Sequence, residues 1–381
     1  MSESDFPPEI LFDILSRLPP KDLIRILCVS KSWYAIIHDH HFIKAHLQRS
    51  IQTNSAGTLL LRSNSALWSD FYSLSFNGDE AFGTLVPIER PLKCPGDYLE
   101  MLGCSVNGVV CIHDCECTDV CLWNTSIQKL KKIPLPTLEH QPPSYSNRYT
   151  LFGFGYDSAN DDFKVLRITQ FENRKRESVD SQVGVYSLKS NSWKKIQSLP
   201  CHGFSIHRRE IVFTNGALCW LMRKDNSRCI ILTLDLANEN YREFHTPVDE
   251  DDNSLMNLVV LRGSLCVFVN NRSSRHEVWI MHEYGTSDSW TLLYSIGVET
   301  GPETVPWWFD HCEPLGFSKN GEMVLLKKGE GALVWFDLEQ KNSNQVYSGG
   351  LPHLFKATIC LGTLSLLDGD SVVSEEGTWV G

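Results

Sequence analysis

Ile10, Leu11, Ile14, Leu15 and Leu18 fall at i, i+1, i+4, i+5 and i+8, the spacing of an apolar stripe on a helix. Pro8 suits the first turn of that helix. Pro19-Pro20 ends it, because proline disfavours helical geometry in the residue before it, and Pro20 can itself open the next helix. Leu23, Ile24 and Leu27 continue at helical spacing. Ser30 reads as the N-cap of a third helix that carries Trp33, Ile36 and Ile37 inward, with Phe42, Ile43 and Leu47 on a fourth short segment. A helical module of roughly 45 residues is close to the size at which a core alone is marginal. Its surplus apolar stripe needs covering, either by a second protein or by the rest of the chain, and periodicity leaves both open.

From about residue 55 the pattern changes to short apolar runs punctuated by Gly, Asn, Asp and Ser, which reads as all-β. Two kinds of segment recur. One is a Gly-containing turn followed by a strand: "SVNGVVCI" from 105, "FTNGALCWL" from 213, "LRGSLCVFV" from 261 and "SKNGEMVLL" from 318. The other is a hairpin, at 120–134, 183–196, 231–244, 277–296 and 332–347. The leading strands of the hairpins lie about 45 to 63 residues apart, near the period of four-stranded propeller blades. The pattern therefore predicts an α+β two-domain chain, with a helical module over 1–50 and an all-β propeller over 51–381. A two-sheet sandwich is the runner-up. Blade number cannot be read, because 55–104 and 135–182 align poorly with the other repeats.

Charge narrows the partners. The 381-residue chain has 46 acidic and 35 basic side chains and a net charge of −11, which repels a phosphate backbone, so no nucleic-acid partner is expected. The first fifty residues balance Glu3, Asp5, Glu9, Asp13, Asp22 and Asp39 against Arg17, Lys21, Arg25, Lys31, Lys44 and Arg49. The helical module is thus neutral and suited to docking by shape and apolar contact. No basic n-region leads into an apolar h-region and no run of about 18 apolar residues occurs, so no membrane span is expected and the expected location is cytoplasmic or nuclear. Thirteen cysteines, an odd number without periodic spacing, then read as reduced thiols.

Phe6-Pro7-Pro8-Glu9-Ile10-Leu11, Ile14-Leu15, Leu18-Pro19, Leu23, Val29, Lys31-Ser32-Trp33 and Phe42 through Leu47, taken in that order, resemble an F-box, with Phe6 where the family usually has Leu. The resemblance implies a three-helix F-box that binds a Skp-family adaptor and, through it, a cullin. Pro7, Ile10, Leu11, Ile14, Leu15, Leu18, Pro19, Leu23 and Val29 would form or support that contact, while Trp33 fits module core as well as interface. "LFGFGYDSANDDFKVLRI" from 151, with "VYSLKSNSWKKI", "FTNGALCWL" and "LDLANENYREF", resembles the plant F-box-associated domain, a divergent kelch-like propeller. Gly-Gly pairs do not recur from repeat to repeat as they do in regular kelch repeats.

Candidate chemistry is sparse. "CIHDCECTDVC" offers Cys111, His113, Cys115, Cys117 and Cys121, but Cys115 and Cys117 are too close in sequence for a zinc pair and no second pair completes a tetrahedral site. His38, His40, His41 and His46 read as solvated loop or helix-end residues. Asp161-Asp162 reads as a turn whose side chains cap backbone N–H groups. No nucleophile elbow, P-loop or H-E-x-x-H occurs, so no catalytic residue, metal or cofactor is expected. Trp307, Trp308 and Phe309, in a Pro- and acid-rich segment, are the candidate target-binding residues, since tryptophan commonly anchors interfaces. "DEDDNS" from 249 would attract a basic partner if it is a site. The resemblance thus implies a non-catalytic substrate receptor of a Skp-cullin-F-box (SCF) ubiquitin ligase. The alternative is a carbohydrate- or small-ligand-binding propeller outside ubiquitination.

Overall fold

Four short helices open the chain: α1 (Pro8–Ser16), α2 (Pro20–Ile26), α3 (Lys31–His38) and α4 (His40–Gln52). The computed structural model describes residues 7–53, 57–63, 70–76, 82–92, 98–114, 116–136, 145–173, 179–200, 205–223, 229–248, 254–271, 275–297, 312–328, 331–347, 350–366 and 370–371. Prolines occupy the first position of α1 and α2, where the missing N–H costs nothing. The Ser30 side chain accepts from Trp33 N at 3.2 Å, the N-cap expected for α3, a bond worth about 1 kcal/mol. The fourth segment expected after the three helices of the module is itself a helix. Asp39 accepts from the N–H groups of His41 and Phe42, and this cap starts a helix of 13 residues, the longest of the set.

Leu15, Leu23, Ile37 and Phe42 are wholly buried at the centre of the helical module, and Phe12 meets Phe42 edge to face at 5.1 Å. Ile127 and Leu364, both from the β-region, belong to the same cluster. The core of the helical module is therefore completed by residues far away in sequence.

Six antiparallel sheets follow, each built mainly from consecutive strands, the arrangement of propeller blades. The first holds β1 (Gly57–Ser63), β2 (Phe71–Phe76) and β3 (Phe82–Ile88); the second β4 (Leu99–Met101), β5 (Val110–Asp114), β6 (Val120–Asn124) and β7 (Lys129–Ile133). The third holds β8 (Tyr145–Asp157), β9 (Asp162–Asn173), β10 (Val179–Ser187) and β11 (Ser192–Ile196). The fourth holds β12 (Ser205–Thr214), β13 (Ala217–Arg223), β14 (Ile230–Asp235) and β15 (Tyr241–His245). The fifth has β16 (Ser254–Leu261), β17 (Ser264–Asn271), β18 (Arg275–Met281) and β19 (Trp290–Gly297). The sixth has β20 (Glu313–Phe317), β21 (Met323–Lys328), β22 (Ala332–Asp337) and β23 (Ser343–Tyr347). Finally β24 (Phe355–Cys360) pairs with β1, from Thr58 opposite Cys360 to Ser63 opposite Phe355, and β25 (Asp370–Ser371) adds to β7. The propeller expected from the repeats is thus the fold observed, and it has six blades.

The chain clusters into two units. One comprises Met1–Met101, Asn107–Ile133 and Phe355–Gly381; the other Leu102–Val106 and Pro134–Leu354. In the first, Leu60, Phe71, Leu99, Ile112, Trp123 and Cys360 share one core. In the second, apolar side chains of each sheet meet those of the next, as when Val212 and Leu221 pack with Met256 and Val267.

The repeated turns have a common physical basis. Asn107-Gly108, Asn215-Gly216 and Arg262-Gly263 all have positive φ at both residues, as a two-residue hairpin turn with native twist requires. Asp157, Asp235 and Asp337 each accept from backbone N–H groups two and three residues on, closing the other hairpin turns. Asp162 does something different from the expected local cap: it accepts from Lys189 N and Ser187 Oγ in the neighbouring hairpin. Gly153 and Gly155 on β8 leave room where a Cβ would strike Ile211 and Phe213 of the next sheet.

Candidate functional site

The nine residues expected at a partner contact lie on α1, α2 and the segments flanking them, and the structure sorts them by depth. Leu15 and Leu23 are fully buried and Leu11 and Leu18 half-buried, all within the helical core. Pro7, Ile10, Ile14, Pro19 and Val29 face water, with Ile10 48%, Ile14 46% and Val29 59% exposed. The apolar stripe of α1 is in fact two adjacent ridges. Leu11 and Leu15 turn inward, while Ile10 and Ile14, one helical turn apart, form an outward ridge.

Several contacts hold this ridge in place. Arg17 and Arg49 both reach the Asp13 carboxylate, at 2.7 and 3.2 Å, and Arg49 also donates to Ser16 Oγ. The Arg17 hydrogen bond, opposed by burial and helped by Arg49, holds the Asp13 carboxyl below its usual range. From α4, His46 Nε2 donates to the Leu18 carbonyl at 2.9 Å. Burial pushes the His46 ring down, and its Nδ1 has no hydrogen-bond partner among the described residues, so the ring is held neutral. His46 is thus a core residue rather than the solvated histidine expected, because its ring nitrogen reaches across the module to close the end of α1.

Sequence reasoning passed over Tyr34, which is 51% exposed and stacks on His38 at 3.9 Å. Its place, one turn on from Ser30 and one turn before His38, lines it up with two polar residues along α3, which is the signal that could have found it. Trp33 is half-buried against the core.

Elsewhere the candidate residues divide. Cys111 and Cys121 are buried on neighbouring strands, where desolvation pushes both thiols up and keeps them protonated. Cys117 Sγ lies 3.9 Å from His113 Nδ1, and Cys115 falls outside the described residues. The turn they share is organised by Asp114, which accepts from Thr118 N, Thr118 Oγ1 and Asp119 N. Among the described residues no three His, Cys, Asp or Glu side chains are placed to hold a metal. Trp307, Trp308 and Phe309, and the acidic run at 249–252, also lie outside the described residues. A cavity of 670 Å³ opens between the fifth and sixth sheets, lined by residues that include His276, Ser295, Cys312, Lys328, Phe336 and Lys341.

Comparison with known proteins places both parts of the chain. The F-box domain family matches residues 3–45, and the F-box associated beta propeller domain family matches residues 67–360. F-box protein CPR1 of Arabidopsis thaliana is 32% identical over 380 residues, covering 94% of this chain and 88% of that one. F-box protein At4g22390 of the same plant is 27% identical, covering 89% and 85%. The Arabidopsis F-box/kelch-repeat protein At3g23880 is 28% identical, covering 88% of each. With its capped helices on the F-box match and its six sheets on the propeller match, the chain belongs to the F-box proteins that carry an F-box-associated β-propeller.

Proposed function

We propose that this chain is the substrate-recognition subunit of an SCF ubiquitin ligase. The observation that carries the reading is the outward ridge of α1. Ile10 and Ile14 expose nearly half their surface on a segment that matches the F-box family, although buried sites were available in the same helix. An F-box domain in general implies binding to a Skp-type adaptor. The exposed ridge, with Pro7, Pro19 and Val29, is the part of the nine-residue set that meets the adaptor and leads through it to the cullin. Leu11, Leu15, Leu18 and Leu23 support the ridge from within. The propeller holds a target protein, and Trp307, Trp308 and Phe309 remain its candidate anchors. The chain carries out no chemistry of its own: tethering raises the effective concentration of target lysines near the ubiquitin-bearing enzyme, and the target is marked for degradation. It works in the cytosol or nucleus, which a fluorescent fusion entering the secretory pathway would contradict.

The test is adaptor binding by the full chain, wild type against Ile10→Asp and Ile14→Asp. Both positions are exposed, so the charges leave the module folded. A loss of at least tenfold in affinity for either variant, with unchanged helical circular dichroism, is the expected result. Wild-type affinity in both would remove the ridge from the interface. The carbohydrate alternative asks for an exposed aromatic platform, whereas among the described residues lining the cavity Phe336 is 3% and His276 4% exposed.

A further inference from the structure

The short stretch from Phe355 to Ser365 touches three parts of the first unit at once. Its strand, β24, completes the first sheet by pairing with β1 over six residue pairs, and its Lys356 lies 3.7 Å from Glu100 on β4. Next, Leu361 and Thr363 pack over Gly108, where a Cβ would collide with both. Buried Asn124 at the end of β6 donates through Nδ2 to two carbonyls of the stretch, Thr363 O at 3.0 Å and Ser365 O at 2.7 Å. The stretch then reaches the helices. Gly362 lies against the Pro20 ring, at a distance where a Cβ would be 3.2 Å from Cδ, and Leu364 is wholly buried in the cluster of Leu15, Leu23, Ile37 and Phe42.

We propose that this stretch is a latch that makes the F-box competent only in a chain whose β-domain is complete. The helical module is too small to hold its fold firmly alone, and one of its six wholly or nearly wholly buried core side chains, Leu364, arrives only when β24 has docked. A chain with the latch undocked therefore has a loosened module and a reduced fraction able to bind the adaptor. A defective receptor is in this way kept off the ligase. The inference rests on the adaptor reading above for its consequence, but not for the coupling itself.

The experiment is hydrogen exchange by mass spectrometry on the full chain, together with affinity for a Skp-type adaptor, for Leu364→Ala, Leu364→Asp and Asn124→Ala. Asn124 makes no hydrogen bond to a helix among the described residues; its loss reaches the helices through the latch and through the turn it caps at Ser126 N beside Ile127, whereas loss of Leu364 acts through the latch alone. Leu364→Ala should raise the opening constant of residues 8–52 on the order of 100-fold, as cavity formation in a core does. Asn124→Ala should raise it by about tenfold. Peptides from β13 and β17 should exchange as in wild type. If about 1% of wild-type modules are open, a 100-fold rise leaves about half closed and doubles the apparent Kd, and the charge in Leu364→Asp should weaken it at least tenfold. Wild-type helix exchange in both Leu364→Ala and Asn124→Ala overturns the coupling. Loosened helices with unchanged adaptor affinity in Leu364→Asp overturn the latch as a control on binding. Should the wild-type chain fail to bind the adaptor at all, the adaptor reading falls, and the exchange data alone decide the coupling.

Discussion

Replacing Glu100 by alanine isolates the electrostatics that tie β1, β4 and β24 together. Arg62 lies on β1 with its side chain 1% exposed and 3.3 Å from the Glu100 carboxylate. It also donates to Leu99 O and lies over the Tyr98 ring. At this separation and an effective dielectric of about 20, the attraction is about 5 kcal/mol. Glu100 keeps 28% of its side chain in water, so part of that is screened. Stripping the anion should cost about 3 kcal/mol, the low end for breaking a buried pair, which is roughly 100-fold in an opening constant. Hydrogen exchange at β1, β4 and β24 reads this directly. The double variant Glu100→Ala with Arg62→Met should be more stable than Glu100→Ala alone, because the buried Arg62 charge goes together with the Glu100 carboxylate that faces it. A double variant less stable than Glu100→Ala, or a single variant with less than about threefold effect, would refute the reasoning. The same pair sets a pH dependence. Burial acts to raise the Glu100 carboxyl, but Lys356, Arg62 and the Tyr98 hydroxyl together hold it below the ordinary value of 4.5. Folding therefore gains stability that is complete above the ordinary value and is lost as pH falls through the lower folded one.

His46 gives the helices a second pH response: because burial lowers its ring below the ordinary 6.5, the unfolded chain takes up a proton the folded one resists, so stability is full above that value and declines as pH falls below it. Exchange of α1 and α4 between pH 7.5 and 5.5 should show this, and a flat profile would remove His46 as its source. Gly108→Ala and Gly216→Ala share a positive φ, but only at Gly108 would the Cβ strike Leu361 and Thr363. Urea unfolding should therefore show about 1 kcal/mol lost at Gly216 and about 3 kcal/mol or more at Gly108, with equal losses contradicting the packing.

The recurrent hairpins were legible because each carries its own turn chemistry: Asn-Gly at 215–216 and the aspartates at 235 and 337 act within a few residues. Blade number was not, because the first sheet takes a strand from the far end of the chain and β8 and β9, at 13 and 12 residues, break the period of the other repeats. The candidate face was legible as a set and not by member. Ile10 and Ile14 share the spacing of Leu11 and Leu15, and only packing decides which ridge turns inward. His46 was misread for the same reason, since its partner Leu18 is 28 residues away.

The pairing of β24 with β1 also sets a timetable. About 290 residues separate the two strands, and at 5 to 20 residues per second a ribosome needs roughly 15 to 60 s to make them. Throughout that interval β1 has an open edge, able to pair with any passing strand. The nascent chain is therefore most vulnerable to aggregation at its first blade, and dependence on chaperones should be greatest before β24 emerges.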